Sequence, residues 1–151
     1  MSEKETKANA LPFEMERGFT AMPNAVSDFY VKHPRFTPTV ERVYRYLLQR
    51  YNADYGYAWP SWTKIIDDCN VSKGTVKTAL KTLEHLELIK RFKIENDNGY
   101  DNNGYYLIKP IEDEREFYRK FGDELAEKYR REETEDMPKS ASDLDELERW
   151  L

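Results

Sequence analysis

The sequence predicts an α+β fold, mostly helical, and three observations carry that prediction. Between residues 59 and 89 two short stretches with helical spacing of apolar residues, each opened by a serine, flank a polar turn. Directly after them, at residues 88–95, the apolar period changes from that of a helix to that of a strand. Turn-forming residues fill positions 96–104, and a second strand follows. A capped helix pair continued by a hairpin is the pattern of a winged helix-turn-helix, here with a C-terminal helical extension.

The helix pair reads WPSWTKIIDDCNVSKGTVKTALKTLEHLELI. Ser61 caps the first helix, and Trp62, Ile65 and Ile66 form its buried side. Asp67, Asp68, Cys69 and Asn70 lead into the turn, and Val71 reaches back to the core. Ser72 caps the second helix, since an N-cap hydroxyl accepts a hydrogen bond from an N–H the first turn leaves orphaned. Val76, Ala79, Leu80, Leu83 and Leu86 make one apolar stripe. The opposite face shows Lys73, Gly74, Lys77, Thr78, Lys81 and His85, with no acidic residue before Glu84. In a DNA major groove, lysine reaches guanine edges or phosphates, and threonine reaches phosphates or a thymine methyl. Gly74 weakens the helix start but lets the backbone approach a phosphate closely. The alternative is an amphipathic helix pair with a solvated basic face.

The hairpin supplies the wing. Residues 88–95, LIKRFKIE, place Phe92 and Ile94 on one face and Arg91 and Lys93 on the other, as in a half-buried strand. Residues 105–109, YYLIK, are the returning strand. Asp97 and Asp101 lie at the tip, and no Lys or Arg occurs in residues 96–107. A tip of that charge is a poor phosphate clamp, so Arg91 and Lys93 at the wing's base are the expected contributors.

Upstream, Thr37 caps a strong helix that has Pro38 at its first position and Glu41 in its first turn. Val40, Val43, Tyr44, Leu47, Leu48 and Tyr51 form its apolar stripe, and Arg42, Arg45 and Arg50 fall mostly on its solvated side. Residues 19–23 are expected as a short strand, residues 24–31 as a short helix and residues 57–59 as another short strand. Trp59 and Trp62 are expected as core anchors.

With 151 residues the chain holds one domain of ordinary size plus tails. Charged residues make up 35%, and no apolar run approaches the roughly 20 residues of a membrane span. The polar, mixed-charge N-terminus is unlike a secretory signal. Cys69 is the only cysteine, which excludes an internal disulfide and a cysteine-cluster metal site and fits a reducing cytoplasm.

The net charge of −5 is unevenly spread. Residues 32–109 carry thirteen Lys and Arg against nine Asp and Glu, a balance of +4. Residues 110–151 carry eight against fifteen, or −7, and residues 1–31 three against five, or −2. A basic middle with an acidic tail suits a core that binds duplex DNA and an appendage that does not.

The domain plan is a disordered N-terminus over 1–18, a winged-helix domain over 19–109 and a helical extension over 110–133. A linker over 134–141 and a short acidic amphipathic helix over 142–151 complete it. Phe117, Phe121, Leu125 and Tyr129 line one side of the extension. They are the candidate seam of a homodimer, or else the face by which this helix folds back on its own winged helix. Leu144, Leu147, Trp150 and Leu151 gather on one side of the last segment. That stripe fits helix-in-groove docking to a protein partner, packing on its own domain, or competition with DNA for the basic face.

The stretches FTAMPNAVSDFY, FTPTVERVYRYLLQRYN and AWPSWTKIIDDCNVSKGTVKTALKTLEHLELIKR resemble the winged helix-turn-helix proteins of phages and plasmids. They are similar in particular to the N-terminal domain of plasmid replication initiators of the replication initiator A type. The resemblance covers residues 19–109 and implies DNA binding, in replication initiation or in transcription regulation. It places the recognition positions on Ser72, Lys73, Thr75, Lys77, Thr78 and Lys81, and has no counterpart for the acidic stretch after Pro110.

Enzyme chemistry is not expected. The sequence has no glycine-rich phosphate loop, no zinc-type His–Glu spacing and no nucleophile elbow, and it calls for no cofactor. His33 and His85 stand alone in sequence, and His85 reads as an exposed bystander. The rival functional class is a protein-interaction adaptor that works through the acidic C-terminal tail.

Overall fold

The computed structural model describes residues 11–94 and 102–135, with the backbone alone for residue 102 and residues 127–135. Among these residues the order is α1 (Asn24–Asp28), a 3-10 turn (Tyr30–Lys32), α2 (Pro38–Arg50), α3 (Trp62–Cys69), α4 (Lys73–His85), β1 (Ile89–Ile94), β2 (Asn102–Leu107) and α5 (Glu114–Glu135). This is a winged helix-turn-helix.

The helix starts follow from their caps. The Thr37 side chain accepts from the Val40 N–H, Ser61 from Lys64 and Ser72 from Thr75, at 3.3, 3.1 and 3.2 Å. Helix α3 ends because Asn70 turns left-handed at φ 56°, a conformation asparagine tolerates better than most residues. The same sign at Glu87, φ 56°, turns the chain out of α4 and into β1.

β1 and β2 are antiparallel, with Ile89 opposite Leu107 and Phe92 opposite Gly104. Ala58 pairs with the outer edge of β2: its N–H donates to the Tyr105 carbonyl at 3.0 Å and its carbonyl accepts from the Tyr105 N–H at 2.8 Å. The expected strand at residues 57–59 is thus reduced to two isolated bridges, Tyr57 to Asn52 and Ala58 to Tyr105. Residues 19–23 form no strand, and the expected helix at 24–31 tightens into a 3-10 turn after Asp28. Pro23 has no N–H to give a ladder, and Pro34 cannot continue a helix.

The core is one cluster. Val43, Leu47, Ile65, Val76, Leu80 and Leu83 have essentially no exposure and join α2, α3 and α4. Alternation along the hairpin sends Ile89 and Tyr105 inward, both buried. Phe92 therefore lies on the outward side, where it stacks on Tyr106 with ring centroids 4.4 Å apart. The expected inward face of β1 is reversed, because Ile89 rather than Phe92 faces the helices. Trp59 is also no core anchor. It is 41% exposed and meets Tyr55 and Tyr57 edge to face on that outer side.

The C-terminal extension departs most from the seam reading. Phe117, Phe121 and Leu125 are buried at 0–3% exposure within the chain's own core. Phe117 packs edge-on to Tyr30 at 4.9 Å and against Phe29 at 5.7 Å. Of the two alternatives for this stripe, these three residues take the folded-back one. They are not available as a surface for a second copy, because Phe29, Tyr30 and His33 already pack against Phe117 and Phe121. The Tyr129 side chain, the wing tip with Asp97 and Asp101, and Leu144, Leu147, Trp150 and Leu151 lie outside the described residues.

Candidate nucleic-acid interface

Helix α4 lies across the core with Val76, Ala79, Leu80 and Leu83 underneath. Burial of that stripe fixes the rotation of the helix, so Lys73, Lys77, Thr78 and Lys81 are held outward, all exposed. Lys73 to Lys81 spans two turns, about 12 Å of helix axis, close to the width of a B-DNA major groove. Among the described residues no carboxylate pairs with Lys73, Lys77 or Lys81. Ser72 and Thr75 are more constrained. Their hydroxyls lie 2.7 Å apart, and Ser72 also accepts the Thr75 N–H. Both are part of the cap, so they serve first to set the helix start.

The expected wing contributors separate. Lys93 is exposed. Arg91 points inward from β1 and forms an ion pair with Glu84 near the end of α4. Its guanidinium ties the hairpin to α4, which leaves less of it for a phosphate.

A second set of residues fixes the turn, among them Arg42 and Arg50, which sequence reasoning left on a solvated face. The Tyr46 hydroxyl donates to Asp68 Oδ2 at 2.5 Å, Arg50 reaches the same oxygen at 3.3 Å, and Lys64 lies 3.8 Å from it. Arg42 donates to the Cys69 carbonyl at 3.3 Å. The Tyr46 hydrogen bond holds the Asp68 carboxyl below the usual range, ahead of the Lys64 and Arg50 charges. Burial, then the hydrogen bond to Asp68, pushes the Tyr46 phenol up to about 12. Burial raises the Cys69 thiol, as suits a small core residue rather than a nucleophile. The sequence signal was available: Asp68 lies in the last turn of α3, and Tyr46 and Arg50 are one turn apart on α2.

The two histidines are not isolated. His33 Nε2 lies 2.9 Å from Glu124 Oε2, and His85 Nε2 lies 2.5 Å from Glu124 Oε1. His33 is buried and His85 is exposed at the last position of α4. Nothing in the local sequence announced this, because the three residues come from segments 39 to 91 positions apart.

No helix among the described residues is long and apolar enough to cross a membrane. No curated protein sequence matches the chain. Two solved structures share the fold. One, described as the N-terminal domain of a DNA binding protein, is 21% identical with a TM-score of 0.51, covering 82% of this chain and 93% of its own. The other, described as the structure of a Rep–DNA complex, is 19% identical with a TM-score of 0.50, covering 82% and 94%. Residues 36–89, from the segment before α2 to the first residue of β1, match the model of a family described as a helix-turn-helix domain.

Proposed function

We propose that this chain binds duplex DNA by laying α4 in the major groove, and that it acts in replication initiation or transcription regulation of a mobile genetic element. The observation that carries this reading is the outward face of α4. Lys73, Lys77 and Lys81 stand in one row with Thr78 beside them, and no carboxylate among the described residues neutralises them. Lysine charge in such a row is attracted by phosphates and steers encounter with DNA. Two structures of similar fold support the reading through what they are described as, a DNA binding protein and a Rep bound to DNA.

The test is duplex affinity measured across a salt series. Lys77→Ala with Lys81→Ala should weaken binding at least tenfold and lower the slope of log affinity against log salt by about two. Wild-type affinity in the double variant would place the DNA surface elsewhere. A genome-wide map of bound sites then separates the roles: peaks at an origin support replication, and peaks at promoters support regulation.

A further inference from the structure

The chain has two histidines, and both end on one carboxylate. We propose that His33, Glu124 and His85 form a proton-sensitive clamp that fastens the C-terminal helix α5 to the end of α4, tightening as His85 gains a proton.

The hydrogen bonds assign the protons. His33 Nδ1 accepts the Arg35 backbone N–H at 3.1 Å, so the proton of the neutral ring sits on Nε2 and is donated to Glu124 Oε2. A proton added at Nδ1 would face the Arg35 N–H. His33 therefore acts as a fixed Nε2–H donor, buried with Phe121 edge-on at 5.6 Å. The same bond argues against a metal ion, which needs the Nε2 lone pair that this tautomer does not have. The three groups come within 4.8 Å of one another, but they do so as two donors on one acceptor.

His85 is the variable member. It is exposed, so proton exchange is unhindered, and it closes α4, where the helix's C-terminal carbonyls favour a cation. A neutral His85 offers Glu124 a hydrogen bond alone, whereas a protonated one adds charge attraction. The other charged groups around it are largely committed. Glu84, one position before it, pairs with Arg91, and Lys120, one turn before Glu124, pairs with Glu87. Lys32 reaches the Tyr118 hydroxyl at 3.5 Å. Lys81, one turn back on α4, has no such partner among the described residues. Burial works to raise the Glu124 carboxyl, but the bonds from His33 and His85 outweigh it and the net direction is down. A depressed carboxyl contributes stability above its ordinary value and loses it as pH falls through the lowered one. The clamp is thus tightest in mild acid, weaker above neutrality and released in strong acid.

The full-length protein tests this by amide hydrogen exchange of residues 114–125, corrected for intrinsic rates. Protection should rise several-fold from about pH 8 to about pH 6, the range in which imidazoles charge. His85→Gln should flatten that rise while keeping the acid limb, and Glu124→Gln should remove both. Nitrogen-15 shifts should show His33 as the Nε2–H tautomer throughout. An unchanged rise in His85→Gln overturns the clamp, as does a His33 protonated on Nδ1. A melting temperature raised by one equivalent of zinc in the wild type but not in His33→Gln also overturns it, since the imidazoles would then be metal ligands.

Discussion

Arg91 of β1 is held by Glu84 of α4, so the wing's inward arginine is tied to α4 itself. Both side chains are partly exposed, at 25% and 36%, so after solvent screening the pair contributes about 0.5 kcal/mol. Arg91→Ala should therefore lower stability slightly and change the salt slope of DNA binding by well under one. Lys93→Ala, at an exposed and unpaired position among the described residues, should lower that slope by about one. Equal slopes lost in the two variants would show that Arg91 leaves Glu84 for a phosphate when DNA binds.

Gly104 is fixed by the ring across the hairpin. A Cβ there would sit 2.2 Å from Phe92 Cζ, far inside contact distance. Gly104→Ala should cost about 1–3 kcal/mol in urea unfolding, because Phe92 must leave its stack on Tyr106. In a Phe92→Ala background the same substitution should cost much less, since the obstructing ring is gone. Additive losses would mean that Gly104 matters for its backbone freedom instead.

Phe121 decides between a fold-back helix and a dimer seam. Buried at 3% exposure beside Tyr30 and His33, it should cost about 3–5 kcal/mol when replaced by alanine. Sedimentation of Phe121→Ala in its folded temperature range should give the wild-type oligomeric state. A dissociated protein of nearly unchanged stability would restore the seam.

The Tyr46–Asp68 bond predicts an acid limb. Asp68 has a lowered carboxyl pKa, so its contribution is full above the usual carboxylate range, about 4, and is lost as pH falls through the depressed value. Tyr46→Phe removes the principal cause of that shift and should flatten the loss of stability below about pH 4. An acid limb identical to wild type would show that the Arg50 and Lys64 charges alone hold Asp68.

Much of the fold was legible in the sequence because it is written in local chemistry. Thr37, Ser61 and Ser72 are caps wherever such helices fold, and the stripe through Val76, Leu80 and Leu83 gives both the helix and its inward side. That stripe also determined which face Lys73, Lys77, Thr78 and Lys81 present, since burying one side of a helix exposes the other. The hairpin's existence followed from its turn residues, but its inward face did not. Ile89 and Phe92 are both apolar and point to opposite sides of the sheet, and only packing against α4 selected Ile89. Tertiary structure likewise decided where the stripe of Phe117, Phe121 and Leu125 goes, because an apolar helix face does not specify its cover. It alone brought His33, His85 and Glu124 together. Hydrogen bonds between residues up to 91 positions apart depend on how the helices pack, which no local pattern encodes.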